Sequence, residues 1–123
     1  MGRIERFEDI QAWKKARYLT RKIYSVTGDS RFSRDFGLRD QLRRAATSIM
    51  LNIAEGYARK TGKEFVRYLY IARASAAEVQ SALYVAIDQA YITEEEFNAL
   101  YHEAEEVSKM ITGFIKYLEH LNT

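Results

Sequence analysis

The chain has no proline and no cysteine, and only six of its 123 residues are glycine. Tight turns draw on proline and glycine for their backbone angles, so their scarcity disfavours many short strands and favours a few long helices. The lack of cysteine excludes disulfides, thiolate metal sites and a cysteine nucleophile, and agrees with a reducing cytoplasm, the expected compartment. No run approaches about 18 uninterrupted apolar residues, and the opening MGRIERFEDI has no apolar signal region, so neither a membrane span nor a signal peptide is expected.

Motifs of catalysis and cofactor binding are equally scarce. His102 and His120 are the only histidines, and neither has a Glu three residues before it, so the Glu-x-x-His pair of a di-iron bundle is missing. HExxH, the phosphate-binding loop and GxGxxG do not occur. Glu55 and Glu78 could form a carboxylate pair, but Arg44 and Asn52 are better read as holding them in a structural network. The expectation is no enzyme, no metal and no cofactor.

What the sequence does contain is helical periodicity. Along Leu38–Tyr57, residues Leu38, Leu42, Ala45, Ile49, Ile53 and Gly56 fall on one stripe. Gln41, Arg44, Ser48, Asn52 and Glu55 form a second stripe directly beside it. An ordinary amphipathic helix turns its polar residues away from the core, so a flanking polar row predicts a partly buried network. Ser75 and Glu78, in the small-residue stretch IARASAAE, are its natural partners. The outer face of the same helix carries Arg39 and Arg43, then turns small and apolar at Thr47, Met50, Ala54 and Ala58, a candidate subunit interface.

Three further helices frame this one. The first spans about residues 7–26, with Ala12, Trp13, Ala16, Leu19, Thr20 and Ile23 inward, and is followed by a connecting loop over 28–36. Thr61 and Glu64 have capping-box spacing, as do Thr93 and Glu96, and each pair precedes a long apolar-periodic run. The whole predicts an all-α fold, one antiparallel up-down-up-down four-helix bundle over residues 1–123, with helices at about 7–26, 37–59, 62–90 and 94–120.

Charge is divided unevenly. Residues 1–63 hold 15 Lys and Arg against 7 Asp and Glu, a net of +8, whereas residues 64–123 hold 4 against 10, a net of −6. Lys14, Lys15, Arg17, Arg21 and Lys22 crowd the outer side of the first helix, and Arg31, Arg34, Arg39 and Arg43 extend them. A surface of this kind reads either as an ordinary solvated face or as a phosphate-tracking one.

The runs FEDIQAW at 7–13, GLRDQLRRAATSIMLNIAEGYAR at 37–59 and EFVRYLYIARASAAEV at 64–79 resemble the four-helix-bundle family of 23S rRNA intervening-sequence proteins. The most specific part is Gln41-Leu42-Arg43-Arg44 with Ser48, then Asn52-Ile53-Ala54-Glu55-Gly56. Ala74-Ser75 stands where the family commonly has Gly-Ser, and the family's frequent proline in the first loop is missing. The resemblance implies a ring-shaped homopentamer and, from relatives that accompany reverse transcriptases of retroelements, contact with nucleic acid; it implies no catalytic residue.

The functional expectation is a non-catalytic oligomeric module whose basic surface contacts RNA or DNA phosphates with little sequence preference. The alternative is a protein-protein scaffold in which the basic half of one subunit meets the acidic half of the next, closing a ring without nucleic acid.

Overall fold

One reciprocal capping box, one Thr cap and one Asp cap set where three of the four long helices begin. Thr93 Oγ1 accepts the Glu96 N–H at 3.0 Å while Glu96 Oε1 accepts the Thr93 N–H at 2.9 Å, a reciprocal box. Thr61 Oγ1 accepts the Glu64 N–H at 3.2 Å, and Asp35 Oδ1 accepts the Leu38 N–H at 3.1 Å. The computed structural model of the chain describes residues 3–121, with helices α1 (Gln11–Thr27), α2 (Ser30–Arg34), α3 (Phe36–Ala58), α4 (Gly62–Asp88) and α5 (Glu94–Leu121).

The four long helices form the expected all-α bundle. Packing runs α1 on α3, α3 on α4, α4 on α5 and α5 back on α1. Cross-helix pairs show antiparallel neighbours throughout: Thr20 with Ala46 and Thr27 with Arg43, Gln41 with Glu78 and Ser48 with Ser75, Arg73 with Thr112 and Gln80 with Glu105, and Lys15 with Glu106 and Lys22 with Glu103. The core is Leu19, Ile23, Leu42, Ile49, Ile53, Leu69, Val79, Leu83, Val107 and Ile111 with their buried neighbours, and the small residues Ala46, Ala72, Ala76 and Ala104 let the helix axes approach. Gly56 marks a close approach of α3 and α4. A Cβ there would lie 2.8 Å from Tyr68 Cβ and 2.9 Å from Phe65 Cδ1, so α4 occupies the space a side chain would need.

Three local features depart from the periodicity. The first helix starts at Gln11 rather than Phe7, because Phe7–Asp9 is a 3-10 turn closed by the Asp9 N–H on the Arg6 carbonyl at 3.0 Å, followed by extended Ile10. Ile10 is buried, and Phe7 packs edge-to-face on the half-buried Trp13 at 5.2 Å. The segment expected as a plain loop contains α2, since Phe32, only 1% exposed, anchors it by stacking on Tyr91 at 5.0 Å. One aromatic among polar residues gives no periodic signal. Last, α4 ends at Asp88, not Ala90: Ala90 takes φ 60° and the Tyr91 N–H bonds the Ala86 carbonyl at 2.9 Å, a Schellman closure built on alanine.

Candidate functional site

The nine candidate cations separate into two kinds once the helices are assembled. On the edge of α1 that faces α5, Lys15 Nζ lies 3.4 Å from Glu106 Oε1 and Lys22 Nζ lies 2.8 Å from Glu103 Oε1. Lys22 also sits 4.4 Å above the Tyr18 ring. The hydrogen bond to Glu103 is the main reason its ammonium holds its proton above the usual lysine range.

The arginines near α2 and the start of α3 are largely committed to the backbone. Arg31 Nη2 donates to the Gln89 carbonyl at 3.3 Å, with its guanidinium over Tyr91. Arg39 Nε pairs with Asp40 at 2.9 Å and its Nη1 donates to the Ser33 carbonyl at 3.1 Å. Arg43 Nε donates to the buried Thr27 hydroxyl at 2.8 Å, and its guanidinium lies over Tyr24.

Four cations stay open. Lys14, Arg17, Arg21 and Arg34 are exposed and make no ion pair among the described residues. Lys14, Arg17 and Arg21 recur at helical spacing, so α1 presents them as one outward row. Tyr18 and Tyr24 are exposed beside it, and Arg17 lies 5.9 Å from the Trp13 ring. The periodicity reading missed these tyrosines, although their place on the polar side of α1 was the available signal; aromatic faces among cations let a surface stack bases as well as neutralise phosphates.

The polar stripe of α3 divides as well. Ser48 Oγ and Ser75 Oγ are 2.8 Å apart, and Asn52 Nδ2 donates to the Ser48 carbonyl at 2.8 Å and to Ser48 Oγ at 2.9 Å. These three residues form the seam between α3 and α4. The other members lie outside it. Gln41 reaches Glu78 at 3.5 Å in an exposed position, and Glu55 pairs with Arg59 at 3.3 Å on the surface. Arg44 is exposed, with no side-chain hydrogen bond or ion pair among the described residues. One continuous buried network therefore does not form, because Gln41, Arg44, Glu55 and Glu78 turn further out than the serines.

The candidate interface residues sit on the outer side of α3 toward α1. Met50 packs partly against the core, Thr47 Oγ1 bonds its own helix backbone at the Arg43 carbonyl (3.0 Å), Ala54 is half-buried and Ala58 exposed. Leu51 is 64% exposed, and Ile71 and Val85 are exposed on α4. No group of three or more His, Cys, Asp or Glu side chains is placed to hold a metal ion among the described residues, and no helix there is long and apolar enough to cross a membrane.

Comparison with known proteins follows the fold. A family model described as 23S rRNA-intervening sequence protein matches residues 8–113. A solved structure from Bacteroides thetaiotaomicron VPI-5482, described as a protein with unknown function from the S23 ribosomal protein family, superposes with a TM-score of 0.78 at 26% identity, covering 85% of this chain and 98% of that one. No curated protein matches the chain.

Proposed function

The chain belongs to the 23S rRNA-intervening sequence protein family, and from that premise we propose a self-associating, non-catalytic module that holds RNA or DNA phosphates on the outer face of α1. One observation carries the reading: Lys14, Arg17 and Arg21 form an exposed row without acidic partners among the described residues, bordered by exposed Tyr18 and Tyr24. Cations in such a row displace the counterions condensed on a phosphate backbone, which gives affinity that falls steeply with salt and carries little sequence information. The row consists of fixed positive charges and phenols, so it binds without a chemical step.

Self-association uses a different surface. Leu51 on α3 and Ile71 and Val85 on α4 expose apolar area, as the outer side of α3 does at Ala58, and a homopentamer built through α3 and α4 leaves the α1 row in solvent. The rival reading, a head-to-tail scaffold that consumes the basic half against the acidic half of a neighbour, has less charge available to it. Lys15 and Lys22 are already paired with Glu106 and Glu103 inside one subunit.

Light scattering with and without a structured RNA, at low and then moderate salt, tests the proposal. A multimer that takes up RNA and releases it with salt is expected. A multimer indifferent to RNA at low salt would transfer the cations to the scaffold reading, and a monomer at micromolar concentration would remove the ring from both.

A further inference from the structure

We propose that this surface takes single-stranded rather than duplex nucleic acid, seating one unpaired base in a cavity at the Lys14 end of the cation row. The inference rests on the phosphate-binding reading above and adds the strandedness of the ligand.

The N-terminal segment, the start of α1 and the last turns of α5 enclose a cavity of about 560 Å³, within the range of about 300–1,000 Å³ typical of ligand pockets. Its wall is apolar at Ile4, Ile10, Met110, Phe114 and Tyr117, and Lys14 stands in it as well. Lys14 thus belongs both to the outward row and to the cavity, so a phosphate held there leaves the adjoining base beside the opening. Asp9 also lines the cavity, but its oxygens face the Glu5 N–H at 3.0 Å and Arg6 at 3.8 Å, and with Arg3 and Lys14 nearby the mouth is net cationic.

Gly113 gives the cavity its shape. Glycine is disfavoured inside a helix, and at Gly56 the neighbouring helix explains it by filling the space of a Cβ. At Gly113 a Cβ would meet nothing within 4 Å among the described residues, so no packing there accounts for the missing side chain. It leaves bare helix backbone within the lining that Met110, Phe114 and Tyr117 complete, where a planar ring can lie flat. Tyr117 is half exposed, while Phe114 is anchored against Phe65 at 5.3 Å and lies 6.2 Å from Tyr117, giving a supported aromatic wall. Stacking on such a wall tolerates any base, since every base has a π-face. A base inside a duplex reaches it only after being unpaired and unstacked, which is why the cavity selects single strands.

Fluorescence anisotropy with a labelled oligothymidine and a mixed-sequence duplex of equal length, at one low salt concentration, tests this. The native protein is expected to hold the single strand about tenfold more tightly than the duplex, the size of one base–aromatic stack. Gly113→Leu, which puts a side chain into the cavity lining, and Tyr117→Ala, which removes part of its aromatic wall, are each expected to abolish that preference and leave duplex affinity unchanged. Circular dichroism confirms that each variant is folded. Lys14, Arg17 and Arg21 replaced together by Gln are expected to weaken both ligands. Equal affinity for the two strands, or a preference unaltered in both cavity variants, overturns the inference and leaves the phosphate surface standing. Failure of both ligands to bind at low salt overturns both.

Discussion

Ser48 on α3 and Ser75 on α4 share a hydrogen bond of 2.8 Å between their hydroxyls, and Asn52 closes the group by donating to Ser48 Oγ at 2.9 Å. This part-buried polar contact helps to register α3 and α4. It sits between the apolar stripe of α3 and solvent, where water competes weakly and an unmade bond is expensive.

Asn52→Ala is therefore expected to lower stability by about 1–2 kcal/mol, since it removes the amide that donates to both the Ser48 carbonyl and Ser48 Oγ and leaves the Ser48 hydroxyl only its bond to Ser75. Glu55→Ala, three residues on, removes only a surface ion pair and is expected to stay within about 0.5 kcal/mol. Urea unfolding of both variants measures the contrast. Equal losses would mean that Glu55 belongs to the seam after all.

Much of the fold was legible because its signals are local. Thr61–Glu64 and Thr93–Glu96 mark helix starts within four residues, and the stripe Leu42–Ile49–Ile53 needs no knowledge of its partner. The extended Ile10, the buried Phe32 and the Ala90 turn escaped, for each depends on what another element presents to it. The same distinction governs the cations. Lys15 and Lys22 look no different from Lys14 and Arg21 along α1, and only the return of α5, some eighty residues later in the chain, gives them Glu106 and Glu103. Exposure of Tyr18 and Tyr24 could have been read from the helical wheel; the cavity could not, although Gly113 inside α5 was its one visible trace.

Two small-residue positions give opposite expectations. Gly56→Ala forces a Cβ against Tyr68 and Phe65 and is expected to destabilise by about 1–3 kcal/mol. Ala90→Gly relieves a left-handed residue at the end of α4 and is expected to stabilise by about 1 kcal/mol. Thermal melts of the pair check both signs at once, and a destabilised Ala90→Gly would show that the turn is held in place by something other than backbone conformation.

Tyr91 supplies a pH dependence. Its hydroxyl donates to Asp35 Oδ2 at 3.0 Å, and that hydrogen bond is the main cause that raises the phenol above its ordinary pKa of about 10. A phenol with a folded pKa above its unfolded one contributes stability that is whole below about pH 10 and is lost as pH rises through the folded value. Tyr91→Phe is expected to melt below the native protein at neutral pH, with the gap narrowing in alkaline solution. A gap that stays constant to high pH would mean the Asp35 bond contributes nothing that titrates.

The two kinds of cation on α1 should respond to mutation in opposite ways. Lys15 and Lys22 face carboxylates of α5, and the side chain of Glu103 is only 12% exposed with its second oxygen unpartnered, so losing Lys22 leaves a shielded charge without its counter-ion. Replacing Lys15 and Lys22 by Gln is expected to lower the melting temperature and to change RNA affinity little. Replacing Lys14, Arg17 and Arg21 by Gln removes charges that have no carboxylate partner among the described residues; melting is expected to hold, while affinity falls and the slope of log affinity against log salt shrinks by about 2–3, roughly one for each phosphate no longer neutralised. If the paired lysines control affinity and the open row does not, the binding surface lies along the α1–α5 edge, and the assignment of the outer row is wrong.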